Sequence, residues 1–371
     1  MKVPFYNYKD LFLNNKSKYL KIIENNLKTG EFILGKELQK FETNFSKFLK
    51  CKYSIGTSSA TSALEIGLKC LKNNFKKEIL IPSHTFVATI DAIYNAGFIP
   101  KIVDIGFDGL IETSELDKNI NKNTFAILSV NLNGMSCNYD FLLKISKKYK
   151  IHLIEDNAQA FGAKYKNIFT GNFGTFSAFS FYPTKILGCF GDGGALVTNN
   201  YNIYKKAKMI RNHGRNDKGD VLFWGENSRL DNVQAAILNL NLQNITSKIK
   251  KRIQIARFLY NGLKQNPNIR FNERSFKKNY YFDVFQNLEI LAKNRNNLKV
   301  FLKKNKIETI IQWKGLPLNQ LKLKNVKLTN LKNTNLYFKE CLCIPLNNSL
   351  KKSQLVFIIK KINQFYNFNE N

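Results

Sequence analysis

Three features of the 371-residue sequence predict an α/β protein with a large, mostly parallel sheet flanked by helices and a smaller C-terminal α+β unit. Short apolar runs alternate with helical segments from about residue 50 to 200, the pattern of a sheet covered on both faces. Several of these runs end in polar or glycine-rich residues, as strands do where an open parallel sheet binds ligands. Beyond about residue 230 the alternation gives way to long helical periodicity.

Strands are expected at Glu78–Pro82, 102–104, 126–130, 151–154, 175–181 and 195–198, and helical periodicity occurs at 61–72, 86–96, 138–149 and 201–211. A further strand runs into the turn Gly56-Thr-Ser-Ser-Ala-Thr61. A helical pattern carries Gln234, Ala235, Ala236, Leu238 and Leu242 into a basic stretch near 250 and on toward Leu263. Residues 268–371 read as the smaller unit, with a strand-like segment at 280–284 and an amphipathic helix around 351–365. No low-complexity linker separates the parts. The expected division is a large domain over 1–245, with an N-terminal arm at 1–28, and a small domain over 246–371 that includes the linking helix.

Composition narrows the chemistry. Apolar residues make up 44% of the chain, yet no uninterrupted apolar stretch reaches the roughly 18 residues of a membrane span. The N-terminus, Met1-Lys-Val-Pro-Phe-Tyr6, has no apolar signal region, so a cytoplasmic protein without a membrane partner is expected. None of the six cysteines has Cys-x-x-Cys spacing. The three histidines, His84, His152 and His213, leave little material for a metal site or a Ser-His-Asp triad, and no metal is expected. The net charge of +31 suits anionic ligands. Its lysines are spread along the chain, and the clusters at 250–252, 277–278 and 303–304 lack interleaved aromatic platforms, which argues against a nucleic-acid partner.

The polar strand ends are the first places to look for a site. The 151–154 run ends in Glu155-Asp-Asn-Ala-Gln159, and the 175–181 run in Tyr182-Pro-Thr-Lys185 with Gly188-Cys-Phe-Gly-Asp-Gly-Gly194 behind it. The turn at 57–61 opens a helix whose free N–H groups suit a phosphate. Each signal alone has an ordinary reading. Lys185 is one lysine among many, Asp156 suits a helix N-cap, and Gly193-Gly194 suits a turn.

Taken together, the blocks resemble a family. Glu155-Asp-Asn-Ala-Gln-Ala-Phe-Gly-Ala163, Phe179-Ser-Phe-Tyr-Pro-Thr-Lys185 and Gly191-Asp-Gly-Gly194 are similar to the DegT/DnrJ/StrS aminotransferases. So are Thr29-Gly-Glu-Phe-Ile-Leu-Gly35 with Phe41 and Glu42, Pro82-Ser-His-Thr-Phe-Val-Ala-Thr89, and Gly225-Glu-Asn-Ser-Arg-Leu-Asp231 with Gln234-Ala-Ala236. The blocks occur in family order over about residues 29 to 240.

The resemblance implies a fold-type-I enzyme dependent on pyridoxal 5'-phosphate (PLP). Such an enzyme is usually a homodimer with shared active sites, and it transfers an amino group, usually from L-glutamate, to a keto group of a nucleotide-linked sugar in polysaccharide, glycan or natural-product biosynthesis. By matching position, Lys185 would hold PLP as a Schiff base, Asp156 would pair with the pyridine nitrogen and Gln159 would meet the phenolic oxygen. Ser180 and the N–H groups of Ala60 and Thr61 would hold the phosphate. Phe86 would cover the ring, and Asn227 would reach the phosphate of the partner subunit's cofactor. His213, Arg215, Arg229, Trp313 and Lys314 are candidates for the substrate side, with an interface-anchoring role as the other reading of Arg229, and core packing and solvent exposure as those of Trp313 and Lys314.

The sequence also departs from the pattern. Ala60-Thr61-Ser62 replaces the usual Gly-Thr-Asp, Asn131 and Asn133 stand where His and Tyr are usual, Phe161 replaces a common histidine, and Asn319 another. These changes leave room for a small phosphorylated ketone, such as a triose phosphate, as the acceptor. A non-catalytic sensor or nucleic-acid-binding homologue is a third reading, opposed by the presence together of Lys185, Asp156, Gln159 and Ser180.

Overall fold

The computed structural model describes residues 1–71, 75–277, 280–315, 317–321 and 325–368. The first part of the chain carries strands β1 (Tyr53–Thr57), β2 (Glu78–Pro82), β3 (Ile99–Val103), β4 (Thr124–Val130), β5 (His152–Asp156), β6 (Lys164–Tyr165), β7 (Ile168–Phe169), β8 (Phe176–Ser180) and β9 (Gly194–Thr198). Its helices are α1 (Tyr8–Leu13), α2 (Lys16–Lys28), α3 (Lys36–Leu49), α4 (Ala60–Leu71), α5 (Val87–Asn95), α6 (Leu116–Asn119), α7 (Tyr139–Tyr149), α8 (Tyr201–Ile210) and α9 (Asn232–Gln243). There follow α10 (Ile245–Leu263), β10 (Ile269–Arg270), β11 (Tyr281–Phe282), β12 (Leu288–Ala292), α11 (Arg295–Lys304), β13 (Lys327–Leu328), α12 (Lys332–Glu340), β14 (Cys341–Ile344) and α13 (Lys352–Phe365).

Among the described residues the main sheet has the order β1-β9-β8-β5-β4-β2-β3-β13. Strands β13, β3, β2, β4, β5 and β8 run parallel, and β9 runs antiparallel to both of its neighbours. Every residue of β2 and β4 is buried, which is why those segments read as unbroken apolar runs. Helix α4 packs on β8 and β9 and against α5. The smaller sheet, β10-β12-β14, forms a second core with α10, α11 and α13 around Leu259, Leu298, Leu342 and Ile358.

Two expectations about the C-terminal half need correction. The helical pattern after 230 is two helices, because the chain breaks at Asn244 between α9 and α10. The strand expected over 280–284 is only the two-residue β11, and it pairs with β6 of the first part. Another short strand, β13, extends the main sheet beside β3.

Alternation along β5 separates two adjacent carboxylates, since successive side chains point to opposite faces. Glu155 is buried and accepts from the N–H groups of Gly171 (2.7 Å), Phe173 (2.8 Å) and Gly174 (2.7 Å) and from the Tyr139 hydroxyl (2.8 Å), so it pins the loop before β8. Asp156 is left to face the carboxyl ends of the strands.

The N-terminus ties the two parts together. Val3 forms a β-bridge with Ile307, and Val3 and Phe5 are buried. Asn347 donates to the carbonyls of Pro4 (3.1 Å) and Phe5 (3.2 Å). Farther on, α2 packs on α9, and the Tyr19 hydroxyl donates to Asn241 at 2.7 Å.

Candidate active site

The carboxyl ends of β4, β5 and β8 align, with Val130 opposite Asp156 and Asp156 opposite Ala178. A cavity of about 630 Å³ lies beyond them. It is lined by Lys185, Asp156, Gln159, Ser180, Ala60, Thr61, Phe86 and Trp313, which lie far apart in the sequence.

Lys185 sits on a turn that follows β8. Its N–H donates to the Tyr182 carbonyl at 2.8 Å. A Cβ on Gly188 would meet the Tyr182 carbonyl at 2.9 Å and that of Pro183 at 3.0 Å, so glycine lets the turn close. Gln286, from the C-terminal part, clamps the turn on both sides of the lysine. Its Oε1 accepts from Ile186 N at 3.0 Å, and its Nε2 donates to the Thr184 carbonyl at 2.9 Å. Burial depresses the Lys185 pKa to about 8, with the carboxylate of Asp156 opposing the shift.

Asp156 accepts from Ala158 N and from the Thr89 hydroxyl, each at 3.0 Å, and Thr89 is held in turn by Thr85 at 2.8 Å. Burial raises the Asp156 pKa, the two hydrogen bonds and Lys185 pulling the other way. The carboxylate has more negative charge to offer than these two donors use, which suits a cationic ring nitrogen.

At the other end of the cavity, α4 begins at Ala60, and the N–H groups of its first turn have no acceptor within the helix. Ser59 caps Ser62 N at 3.1 Å. Strand β9 presses on this turn so closely that a Cβ on Gly194 would lie 2.2 Å from the Ser59 carbonyl carbon and 2.5 Å from Ala60 N. Glycine is therefore required at 194, and the result is an N–H cradle of the kind that binds phosphate. The Ser180 hydroxyl accepts from Tyr182 N at 3.3 Å and keeps its proton free to donate. Phe86, half-exposed ahead of α5, stands 6.3 Å from the Trp313 ring, and both line the cavity.

Five of the expected residues do not line this cavity, among them Asn227, which was expected to reach the cofactor of the partner subunit. His213, Arg215 and Asn227 are exposed on the loop between α8 and α9, and Arg229 donates to Asn227 Oδ1 (2.7 Å) and Asn212 Oδ1 (3.3 Å). Lys314 is exposed and does not line the cavity, unlike its neighbour Trp313. Sequence reasoning missed Thr89, Gln286, and Tyr6 and Tyr8, which form part of the wall. Only Thr89 left a signal, one helical turn after Thr85 within the block already noted.

The sequence profile of the DegT/DnrJ/EryC1/StrS aminotransferase family matches residues 14–363. The chain belongs to this family. It is an aminotransferase, and PLP is its cofactor.

Among similar proteins, a dTDP-3-amino-3,4,6-trideoxy-alpha-D-glucose transaminase of Streptomyces venezuelae is 34% identical over 72% of this chain and 71% of its own length. A protein of Geobacillus stearothermophilus named as a pleiotropic regulatory protein is 30% identical over 99% of both chains. The crystal structure of S. venezuelae DesV in complex with a ketimine intermediate matches with a TM-score of 0.94, at 28% identity and full coverage of both chains. The Bacillus subtilis protein NtdA, solved with its bound cofactor PMP, matches with a TM-score of 0.89, at 26% identity over 98% of this chain and 85% of that one.

The cavity of the aminotransferase suits PLP group by group: a buried carboxylate, an N–H cradle, an aromatic cover and a lysine amine of lowered pKa. Gly194→Ala is expected to displace the cradle and weaken PLP binding by about tenfold or more, the equivalent of roughly 1–3 kcal/mol of overpacking. Fluorescence titration of the apoprotein with PLP measures it.

Proposed function

We propose that this aminotransferase moves the amino group of an amino acid, L-glutamate, to a keto group of a nucleotide-linked sugar, in the cytoplasm, for polysaccharide, glycan or natural-product biosynthesis. The reading is carried by the placement of Lys185 beside Asp156 in one large cavity. The dTDP-sugar transaminase at 34% identity favours a nucleotide-linked acceptor over a small phosphorylated ketone.

When bound, PLP supplies an electron sink for the bond broken at the donor's Cα. Asp156 holds a proton on the ring nitrogen, and Gln159 donates an N–H to the phenolic oxygen. Ser180 and the N–H groups of Ala60 and Thr61 grip the phosphate, and Phe86 excludes water from the ring face. The Lys185 amine, once released, would take up and return the proton of the donor's Cα.

We further infer a homodimer. Val221, Leu222 and Trp224 are exposed on the loop that holds Asn227, Trp224 almost completely, and Phe32 and Ile33 are exposed as well. An apolar tip of this kind fits a partner surface. In the dimer, Asn227, His213, Arg215 and Arg229 would serve the partner's cavity.

Purified holoenzyme should lose its visible absorbance on addition of glutamate and regain it with the keto acceptor. Screening nucleotide-linked keto sugars against triose and hexulose phosphates identifies the acceptor; turnover of the phosphates alone would overturn this reading.

The lowered lysine pKa has a pH signature. At pH 8 about half of the Lys185 amine is neutral, against about 0.3% for an ordinary lysine. PLP uptake by the apoprotein is expected to quicken about tenfold per pH unit below about 8 and to level off above it. Stopped-flow absorbance separates this from a rise that continues beyond pH 10.

A further inference from the structure

We propose that Glu289 is a positioning residue, whose carboxylate orients the amides of Asn133 and Gln312 and, together with the backbone N–H of Asn133, holds the N–H of Gln159 toward the cofactor. The proposal rests on the reading of Gln159 as the group that meets the phenolic oxygen.

Glu289 lies on β12 of the smaller sheet with its side chain 5% exposed. Its Oε2 accepts from the Tyr337 hydroxyl at 2.8 Å and from Asn133 Nδ2 at 3.0 Å. Its Oε1 accepts from Gln312 Nε2 at 3.3 Å and from Cys343 Sγ at 3.6 Å, and His84 Nε2 lies 4.0 Å away. A carboxylate only accepts, so the amides of Asn133 and Gln312 must turn their NH₂ groups toward it.

Their oxygens then face outward. Asn133 Oδ1 accepts from Gln312 Nε2 at 2.9 Å and from Asn287 Nδ2 at 3.0 Å. Gln312 Oε1 faces Gln159 Nε2 at 3.5 Å, while Gln159 Oε1 accepts from the backbone N–H of Asn133 at 2.8 Å. Gln159 is gripped at both ends of its amide, and its remaining N–H is left to the cavity. A flipped Gln159 would instead present its oxygen to an anionic oxygen of the cofactor.

The linkage depends on this chain's own residues. Asn133 takes a left-handed backbone with φ 58°, a conformation asparagine tolerates, and its amide joins Glu289 to Gln312. The route from Glu289 to Gln159 crosses from the C-terminal part into the large sheet. Docking of the smaller unit therefore tunes the cofactor's surroundings directly.

The test is the absorbance of purified holoenzyme carrying Glu289→Gln, in which the glutamine can also donate and the chain loses its direction. An N–H given to the phenolic oxygen draws negative charge away from the neighbouring nitrogen, so its loss is expected to raise the pH midpoint of the visible band by about half a unit or more. Gln312→Met, which cuts the chain, and Gln159→Leu, which removes its end, should move the midpoint the same way. Tyr337→Phe removes a donor without reversing any amide, and its midpoint should match the wild type.

A wild-type midpoint in Glu289→Gln and Gln312→Met, alongside a shifted Gln159→Leu, overturns the proposal and leaves the role of Gln159 standing. An unshifted Gln159→Leu overturns that role and the proposal with it. If Glu289→Gln does not fold, Gln312→Met decides.

Discussion

Replacing Lys185 by alanine is expected to give a folded, colourless protein whose transamination is slower by roughly 10⁴-fold or more, since both the covalent link and the proton carrier are lost. The turn itself should survive, because Gln286 holds it through the backbone of Thr184 and Ile186 and not through the lysine side chain. Loss of a buried amine with a depressed pKa relieves the apoprotein of a desolvation cost, so its melting temperature should not fall. Activity, visible absorbance and melting temperature measured on one sample test all three. A variant that kept wild-type turnover would refute the assignment of Lys185.

The second large effect is expected at Asp156. Asp156→Asn removes the charge that keeps the ring nitrogen protonated, and kcat should drop by roughly 10²–10³-fold. The apoprotein should be as stable as wild type or slightly more so, because burial already works against the charged form. PLP should then stabilise the variant less than it stabilises the wild type. Thermal melts with and without PLP, set beside steady-state rates, separate an electronic role from a structural one, which would lower stability in both states.

Lys185, Asp156 and Ser180 were legible in the sequence because each closes or follows an apolar strand, and a parallel sheet collects such ends on one edge. Ala60 and Thr61 were legible as a helix start. Gln286 and Glu289 were not, since their significance arises only when the smaller sheet docks on the larger one and brings Gln286 to Thr184 and Glu289 to Asn133, pairs more than 100 positions apart, within hydrogen-bonding range. Tyr6 and Tyr8 gave no signal, as no local pattern announces where an arm will cross. Strands β11 and β13 are two residues long, too short for any alternation to register. The break at Asn244 comes without the glycine or proline that usually marks one. Trp313 and Lys314, adjacent in sequence, both have left-handed backbone, with φ of 50° and 61°, and they part company there: the indole joins the cavity and the ammonium goes to solvent.

The arm that runs from Val3 to Tyr8 also constrains traffic. It is stitched into the smaller unit at Ile307 and Asn347, supplies two tyrosines to the cavity wall, and continues into the helices that rest on α9. The two halves are thus moored twice, once through α10 and once through this strap. A swing wide enough to admit a bulky substrate from the strap's side would have to peel a β-bridge and strip buried anchors from their seat. The strap thus acts as a fixed wall of the cavity.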